Sequence, residues 1–154
     1  MYKIVLVEDE NIKSNVTDNI LHKLPDWFGV EQSIIEYVQT VRDKVFYVIY
    51  YGEEIIGFLC LKINNQYTAE IYVMGIVENH HRNGLGKKLI LKAEQYLRDK
   101  YYRFLMVKTL SESVDYEPYR RTRKFYNSVG FYPLDETNKI WDEKNPCLIM
   151  VKNI

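Results

Sequence analysis

Residues 71–98 read IYVMGIVENHHRNGLGKKLILKAEQYLR, and this stretch decides the fold. Its first residues, 71–77, are almost all apolar, which is typical of a buried strand. From Gly84 onward the apolar residues recur at helical spacing. The loop between them, residues 80–88, holds two glycines and several cations. The stretch therefore predicts a strand, a tight glycine-rich loop and an amphipathic helix in direct succession.

Strand-like runs stand on both sides of this stretch. Before it, residues 45–51 and 55–63 are joined by a hairpin turn at Gly52, and a third strand runs from 68 to 77. After it, residues 103–109 form another strand, so that strand, helix and strand make a crossover, which favours a parallel pair. The other predicted elements are a strand over 3–7, helical segments over 8–24, from 31 and from 118, and closing strands over 131–134 and 147–152.

Composition excludes several classes of protein. Apolar residues make up 47% and charged residues 27%, as in soluble globular proteins. Lys plus Arg, 21, equals Asp plus Glu, 21, so no overall positive field would attract nucleic acid or an anionic membrane. No apolar run approaches the roughly 18 residues of a membrane span, and the run at 4–7 is too short for a signal peptide. Cys60 and Cys147 lack metal or redox spacing. We expect one cytoplasmic domain over residues 1–154, with free thiols and no metal.

The loop at 80–88 has the chemistry of an anion site. Gly84 and Gly86 let the backbone bend tightly and approach a ligand closely. The first turn of the helix leaves about four N–H groups unpaired, and three cations lie close by in sequence, Arg82, Lys87 and Lys88. A dinucleotide fingerprint would need a third glycine, and a P-loop would have Ser or Thr at position 88. On glycine spacing alone, an ordinary turn into a surface helix explains the loop equally well.

The loop resembles motif A of the GCN5-related N-acetyltransferases (GNAT). In that motif Gln or Arg, two residues, Gly, one residue, and Gly or Ala wrap the pyrophosphate of acetyl-coenzyme A (acetyl-CoA). His81-Arg82-Asn83-Gly84-Leu85-Gly86 fills this frame, with His81 at the Gln/Arg position. Residues 125–131, FYNSVGF, resemble motif B of the same family, which is an apolar residue, Tyr, three residues and Gly-Phe. The pair of motifs favours the family far more strongly than the loop alone.

The resemblance implies a fold and a donor. The implied fold is mixed α/β (α+β-like): a twisted, mostly antiparallel sheet of about six to seven strands, with one parallel pair splayed apart, flanked by about four helices. The implied donor is acetyl-CoA. In the family the strand before the loop carries a bulge, and the backbone of Ile76 and Val77 would contact the pantetheine arm of the donor. Gly75 marks either such a bulge or close packing. The pyrophosphate would lie on His81, Arg82, Asn83, Gly84, Leu85, Gly86, Lys87 and Lys88.

Two residues are catalytic candidates by the same resemblance. Tyr126 falls on the motif B tyrosine that protonates the departing thiolate, and a phenol of pKa near 10 suits a thiol near 8.5. The alternative is a core aromatic residue. Glu70 lies fourteen residues before Gly84, where the histone-acetylating branch has its glutamate base. The alternative is that Glu70 is a solvent-facing glutamate and that a water chain serves as the base. Tyr119 stands where the family often has Asn, and no role is transferred to it.

The predicted acceptor is an amine. Trp27, Phe28 and Tyr116 would form an aromatic wall able to hold a cation, although the first two would also serve simply to cap the core. The leading hypothesis is direct transfer of an acetyl group to a primary amine of a small molecule or peptide. One alternative is a non-catalytic acyl-CoA-binding sensor or interaction module. Another is a nucleic-acid-binding domain that uses the basic residues of 120–124. We expect no nucleic-acid or membrane partner, and a monomer or homodimer.

Overall fold

A computed structural model describes residues 1–154 as one seven-stranded sheet packed against four helices. The strand order across the sheet is β1-β2-β3-β4-β5-β7-β6. The strands are β1 (Tyr2–Val7), β2 (Val45–Tyr51), β3 (Glu54–Ile63), β4 (Thr68–Ile76), β5 (Phe104–Leu110), β6 (Tyr132–Asp142) and β7 (Asn145–Asn153). The helices are α1 (Glu10–His22), α2 (Glu31–Thr40), α3 (Leu85–Asp99) and α4 (Glu117–Ser128). None of the four combines the length and apolar character that crossing a bilayer would need.

The sheet is antiparallel except at β4 and β5, which are parallel and joined by α3. This confirms the predicted mixed α/β architecture, with its single parallel pair and four helices. The hairpin between β2 and β3 is also confirmed. Gly52 takes a φ of 62° in its turn, a conformation that residues with a Cβ rarely adopt.

Strand β4 carries a bulge, although not at the glycine. Cys60 of β3 pairs with Val73 and the next residue, Leu61, pairs with Ile71, so Tyr72 is the extra residue. Gly75 has a different function. A Cβ added there would lie 2.9 Å from Leu24 Cδ1 and within van der Waals distance of α1. Gly75 therefore lets α1 pack closely on β4.

The final hairpin is longer than the sequence predicted. Strand β6 was expected over 131–134 but runs to Asp142 and pairs with β7 at the edge of the sheet. Nearly all its residues are exposed, so no alternation of apolar and polar side chains announces it. Pairing with the half-buried strand β7 holds it in place.

The parallel strands separate part of the way along their length. β4 and β5 pair from Thr68 with Phe104 to Ile71 with Val107, and no further. Beyond that point β4 continues to Ile76 and β5 to Leu110. The bulge at Tyr72 begins where the pairing stops. A gap therefore opens between the carboxyl ends of β4 and β5, and we call it the β4–β5 gap.

Candidate active site

The backbone of Ile76 faces the β4–β5 gap, whereas that of Val77 does not. The Val77 N–H donates to the Ile56 carbonyl at 2.9 Å, so this pair belongs to the ladder between β3 and the end of β4. Pairs along an antiparallel ladder alternate between bonded and non-bonded. Ile76, opposite Gly57, is therefore in a non-bonded pair, and its N–H and carbonyl point toward the gap. Of the two residues predicted to contact the pantetheine arm, Ile76 is therefore the one with a free backbone donor, because β3 already uses the Val77 N–H. Met74, two residues earlier, has the same orientation as Ile76.

His81 is turned toward the strand rather than outward from the loop. Its Nε2 lies 2.5 Å from the Ile76 carbonyl and donates to it, and its backbone N–H donates to Glu78 at 3.0 Å. Both groups are therefore used within the protein. The structure places His81 as a residue that holds the loop against β4, and not as the phosphate ligand that its motif position suggested.

The N-terminus of α3 is an uncapped set of N–H donors at the mouth of the gap. The first hydrogen bond of the helix runs from Lys88 N–H to the Gly84 carbonyl, so the N–H groups of Leu85, Gly86 and Lys87 have no partner in the helix. No side chain caps them and no acidic residue stands in the first turn. Helix α1 differs, because the carboxylate of Asp9 accepts from its first turn. An anion from outside the chain would satisfy the start of α3.

The loop before α3 is shaped around this end. Arg82 and Gly84 both have left-handed backbone conformations, with φ of 64° and 72°. A left-handed residue followed by a helical one turns successive N–H groups toward one point, which forms an anion-binding concavity. The side chains of the three predicted phosphate cations, Arg82, Lys87 and Lys88, are exposed around it.

Contacts from the first strand fix the remaining loop residue, Asn83. Its Nδ2 donates to the Tyr2 hydroxyl at 3.3 Å and to the His80 carbonyl at 3.3 Å, and the Tyr2 hydroxyl is 3.1 Å from His80 Nδ1. The side chain of Asn83 is thus engaged in shaping the loop. Tyr2 was not predicted from the sequence, since nothing in a short first strand signals contact with residue 83.

Tyr126 lies deep in the protein, on α4. It is 6% exposed, with its ring 5.4 Å from the rings of Phe125 and Phe131. Its hydroxyl makes no hydrogen bond within the protein, yet Thr109 Oγ1 is the single unpartnered side-chain atom that is sealed from solvent. The small exposed part of Tyr126 therefore includes its hydroxyl. Burial raises the pKa of this phenol well above its usual value.

Glu70 is a buried carboxylate, 4% exposed, on the paired half of β4. Asn64 Nδ2 donates to Oε1 at 3.1 Å, and Lys108 Nζ lies 3.4 Å from Oε2. A solvent-facing glutamate is therefore excluded. Lys108, on β5, was not singled out from the sequence, where it interrupts an otherwise apolar strand. Its ammonium is the more exposed member of the pair.

A cluster of tyrosines connects these groups. Tyr37 of α2 packs edge-on against Tyr72 at 5.2 Å and against Phe28 at 6.3 Å. Burial, and then the proximity of Tyr72, Tyr119 and Glu70, raises the pKa of the Tyr37 phenol. Phe28 therefore lies beside Tyr37, the residue around which this cluster is built. In the sequence Tyr37 looks like one more residue of the inner face of α2, so its place in the site was missed.

The other two aromatic residues predicted to form the acceptor wall contact α4. The Tyr116 hydroxyl donates to the Asp26 carbonyl at 2.6 Å. The Trp27 indole N–H donates to the Pro118 carbonyl and Thr122 Oγ1, both at 3.1 Å. Arg121 lies 5.3 Å from the Trp27 ring, where a substrate cation was expected. Trp27 and Tyr116 therefore both lie at the start of α4, whereas Phe28 packs against Tyr37 of α2.

The buried phenols predict a loss of stability at alkaline pH. The folded-state pKa values of Tyr37, Tyr119 and Tyr126 all lie above the ordinary value of about 10, with that of Tyr119 raised to about 12 by burial. Below pH 10 both folded and unfolded chains keep these protons, so they add no pH dependence. Above it the unfolded chain ionises first, and unfolding should become easier by up to about 1.4 kcal/mol per pH unit for each phenol.

Urea unfolding between pH 8 and 11 would measure this effect. Tyr119→Phe should reduce the slope above pH 10 by less than a third, because burial also raises the pKa of Tyr47 and of the Cys60 and Cys147 thiols, which share the effect. An unfolding free energy that stays flat to pH 11 in the unmodified protein would contradict the prediction.

Comparison with known proteins agrees with this geometry. The sequence profile described as Acetyltransferase (GNAT) family matches residues 17–131. An uncharacterized N-acetyltransferase of Chlorobaculum tepidum is 23% identical over 121 residues, covering 77% of this chain and 70% of the relative.

Solved structures share the fold over nearly the whole chain. A protein assigned to the GNAT family from Desulfovibrio desulfuricans superposes with a TM-score of 0.86 at 13% identity, over 99% of both chains. A GNAT family acetyltransferase from Elizabethkingia anophelis, with acetyl-CoA bound, gives 0.74 at 18% identity, over 99% of this chain and 98% of that one. Because the family profile spans most of the sequence, this chain belongs to the GNAT family of acetyltransferases.

Proposed function

We propose that the protein transfers an acetyl group from acetyl-CoA directly to a primary amine of a small molecule or peptide. The uncapped start of α3 carries this proposal, because it offers three N–H donors beside the end of β4, to which His81 ties the loop. The acetyl-CoA bound in the related structure from E. anophelis supports the choice of donor.

The donor's pyrophosphate would rest on the N–H groups of Leu85, Gly86 and Lys87. Three charges would surround it, from Arg82, Lys87 and Lys88. The pantetheine arm would then follow β4 along the gap, and the Ile76 N–H would face the thioester carbonyl. A donor of this kind, aimed at the oxygen where charge develops, contributes roughly 3 kcal/mol to transfer.

Starting from an ammonium, the reaction takes two protons from nitrogen, one before the attack and one after it, and delivers one proton to sulfur, so that one proton leaves to solvent. The amine nitrogen attacks the thioester carbonyl carbon, the C–S bond breaks, and the nitrogen gives up a proton. An ammonium of pKa near 10 must first lose a proton, which costs roughly 4 kcal/mol at neutral pH. Glu70, directly or through water, would accept the amine's proton, and Tyr126 would deliver one to the departing sulfur. Both groups adjoin the tyrosine cluster, which would form the acceptor side of the site.

Release of free thiol from acetyl-CoA tests the proposal. The protein is incubated with acetyl-CoA and each of spermidine, tyramine, L-lysine and a peptide with a free N-terminus, and thiol is followed with time. Amine-dependent release is expected for at least one class. Calorimetric binding of CoA without thiol release from any amine would instead indicate a non-catalytic acyl-CoA-binding module.

Glu70→Gln should separate a base from a structural carboxylate. The amide keeps the shape of Glu70 and still accepts from Asn64, while Lys108 is exposed enough to be solvated alone. If Glu70 is the base, kcat with the best amine should fall about 100-fold at neutral pH and recover as pH rises toward the amine's own pKa. A uniform fall at all pH values, or no fall, would assign the proton to water.

A further inference from the structure

Trp27 contacts both the loop that follows β4 and the first turns of α4. On one side its ring lies edge-on to the His81 ring, with centroids 5.9 Å apart, and His81 in turn holds the Ile76 carbonyl. On the other side its indole N–H donates to Pro118 and Thr122 in the first turns of α4. The indole therefore crosses from the end of β4 to the helix that carries Tyr126.

The position of Trp27 is fixed by its backbone as well as its ring. The Tyr119 hydroxyl donates to the Trp27 carbonyl at 2.9 Å, and the Trp27 N–H donates to the Leu24 carbonyl at 3.1 Å. Arg121 covers one face of the indole. His81 and α4 hold the edges of the indole and Arg121 covers one face, so the position of a cation on that face is already taken by the chain.

We propose that Trp27 is a donor-binding residue, and that its indole packs against the pantetheine arm and covers it from solvent. This inference rests on the proposed function. His81 lies just before the phosphate-binding start of α3, and Thr122 lies one turn before Tyr126. An arm that runs from the first segment to the second must pass beside the ring that connects them. The aromatic surface gives the arm an apolar contact that the peptide groups of β4 cannot supply.

Fluorescence of Trp27 tests the contact. The chain has two tryptophans, so Trp141→Phe leaves Trp27 as the single reporter. Saturating CoA should change its emission, whereas saturating adenosine 3′,5′-bisphosphate, which has the nucleotide phosphates but no arm, should not. Calorimetry on the same variant establishes that each ligand is bound.

Three outcomes separate the hypotheses. An emission change with CoA alone supports the contact with the arm. Calorimetric CoA binding without an emission change, or the same change with the bisphosphate, overturns it while leaving the donor site intact. No calorimetric binding of CoA overturns the proposed function itself, and this inference with it.

Substitution gives an independent measurement. Trp27→Ala should raise the Kd for CoA about tenfold, which is the loss of one aromatic contact, and leave the Kd for the bisphosphate within about twofold. Trp27→Phe should retain most of the affinity. His22→Ala is the matched control, because His22 ties the end of α1 to Glu31 beside the same connection without touching the indole. Two results would overturn the proposal: an equal loss of CoA affinity in His22→Ala, or an equal loss of affinity for both ligands in Trp27→Ala. Either would assign the effect to the structure of the segment between α1 and α2.

Discussion

Tyr126→Phe should lower kcat by about 100- to 1,000-fold while leaving CoA affinity unchanged, because it removes the proton donor and keeps the ring. Burial makes the Tyr126 phenol a weaker acid than usual, so it stays protonated across the working pH range. The same burial disfavours a thiolate formed beside it and raises the pKa of the departing thiol, which restores the match between donor and acceptor. Thiol release measured at saturating acetyl-CoA gives kcat.

Stability provides the control for this variant. The Tyr126 hydroxyl has no hydrogen-bond partner in the protein, so its removal should change the free energy of unfolding by less than about 1 kcal/mol. Tyr132→Phe, at an exposed position of β6, controls for loss of a phenol elsewhere. A Tyr126→Phe enzyme with full kcat would remove this residue from the mechanism.

Gly86→Ala should weaken CoA binding about 30-fold. A Cβ at Gly86 would lie 2.7 Å from Phe125 Cζ and 3.0 Å from its Cε1, and the Phe125 ring is itself packed against Tyr126. The Phe125 ring or the start of α3 must therefore shift, and overpacking of this kind costs about 2 kcal/mol of stability. The N–H groups of Leu85, Gly86 and Lys87 move with the helix. Calorimetric titration with CoA measures the loss.

Two further variants locate the cause. Phe125→Leu shortens the side chain that the new methyl meets, so the double variant should recover most of the affinity lost in Gly86→Ala. Gly84→Ala meets no atom within 4 Å and suffers only from its φ of 72°, a strain of about 1 kcal/mol. Affinity that does not recover in the double variant would show that the Phe125 contact is not the cause.

The sequence predicted those parts of the fold that follow from local pattern. The hairpin at Gly52, the helix after Gly84 and the parallel crossover each have a periodicity or a turn residue that announces them. Strand β6 does not, because an exposed edge strand is held by hydrogen bonds to its neighbour. The function of Gly75 was ambiguous because it too depends on a neighbouring element. The sequence shows that a side chain is missing, but not that Leu24, just after α1, and Ile20 of α1 fill the space.

The site was predictable where a motif fixes the backbone and less so where side chains meet across the fold. The uncapped start of α3 follows from the glycine-rich loop alone. The hydrogen-bonding direction of Ile76 and Val77 depends on register with β3, which no motif states. The turn of His81 toward Ile76 and the crossing of Trp27 to α4 join residues far apart in sequence. The side-chain chemistry of His81 and Trp27 alone does not indicate whether they contact acetyl-CoA or the acceptor amine.

The short pairing between β4 and β5 has a mechanical consequence. Four register pairs, from Thr68 with Phe104 to Ile71 with Val107, join strands β1–β4 to the other three, whereas β5 and β7 pair along their whole lengths. The sheet therefore consists of two parts joined by a short stretch of strand pairing, and sub-global opening should begin at this junction. A pantetheine arm that lies along Ile76 would extend the junction between the two parts, as an added strand does. Amide hydrogen exchange in both parts of the sheet should slow when CoA binds. The donor would then stabilise the sheet against opening as well as react.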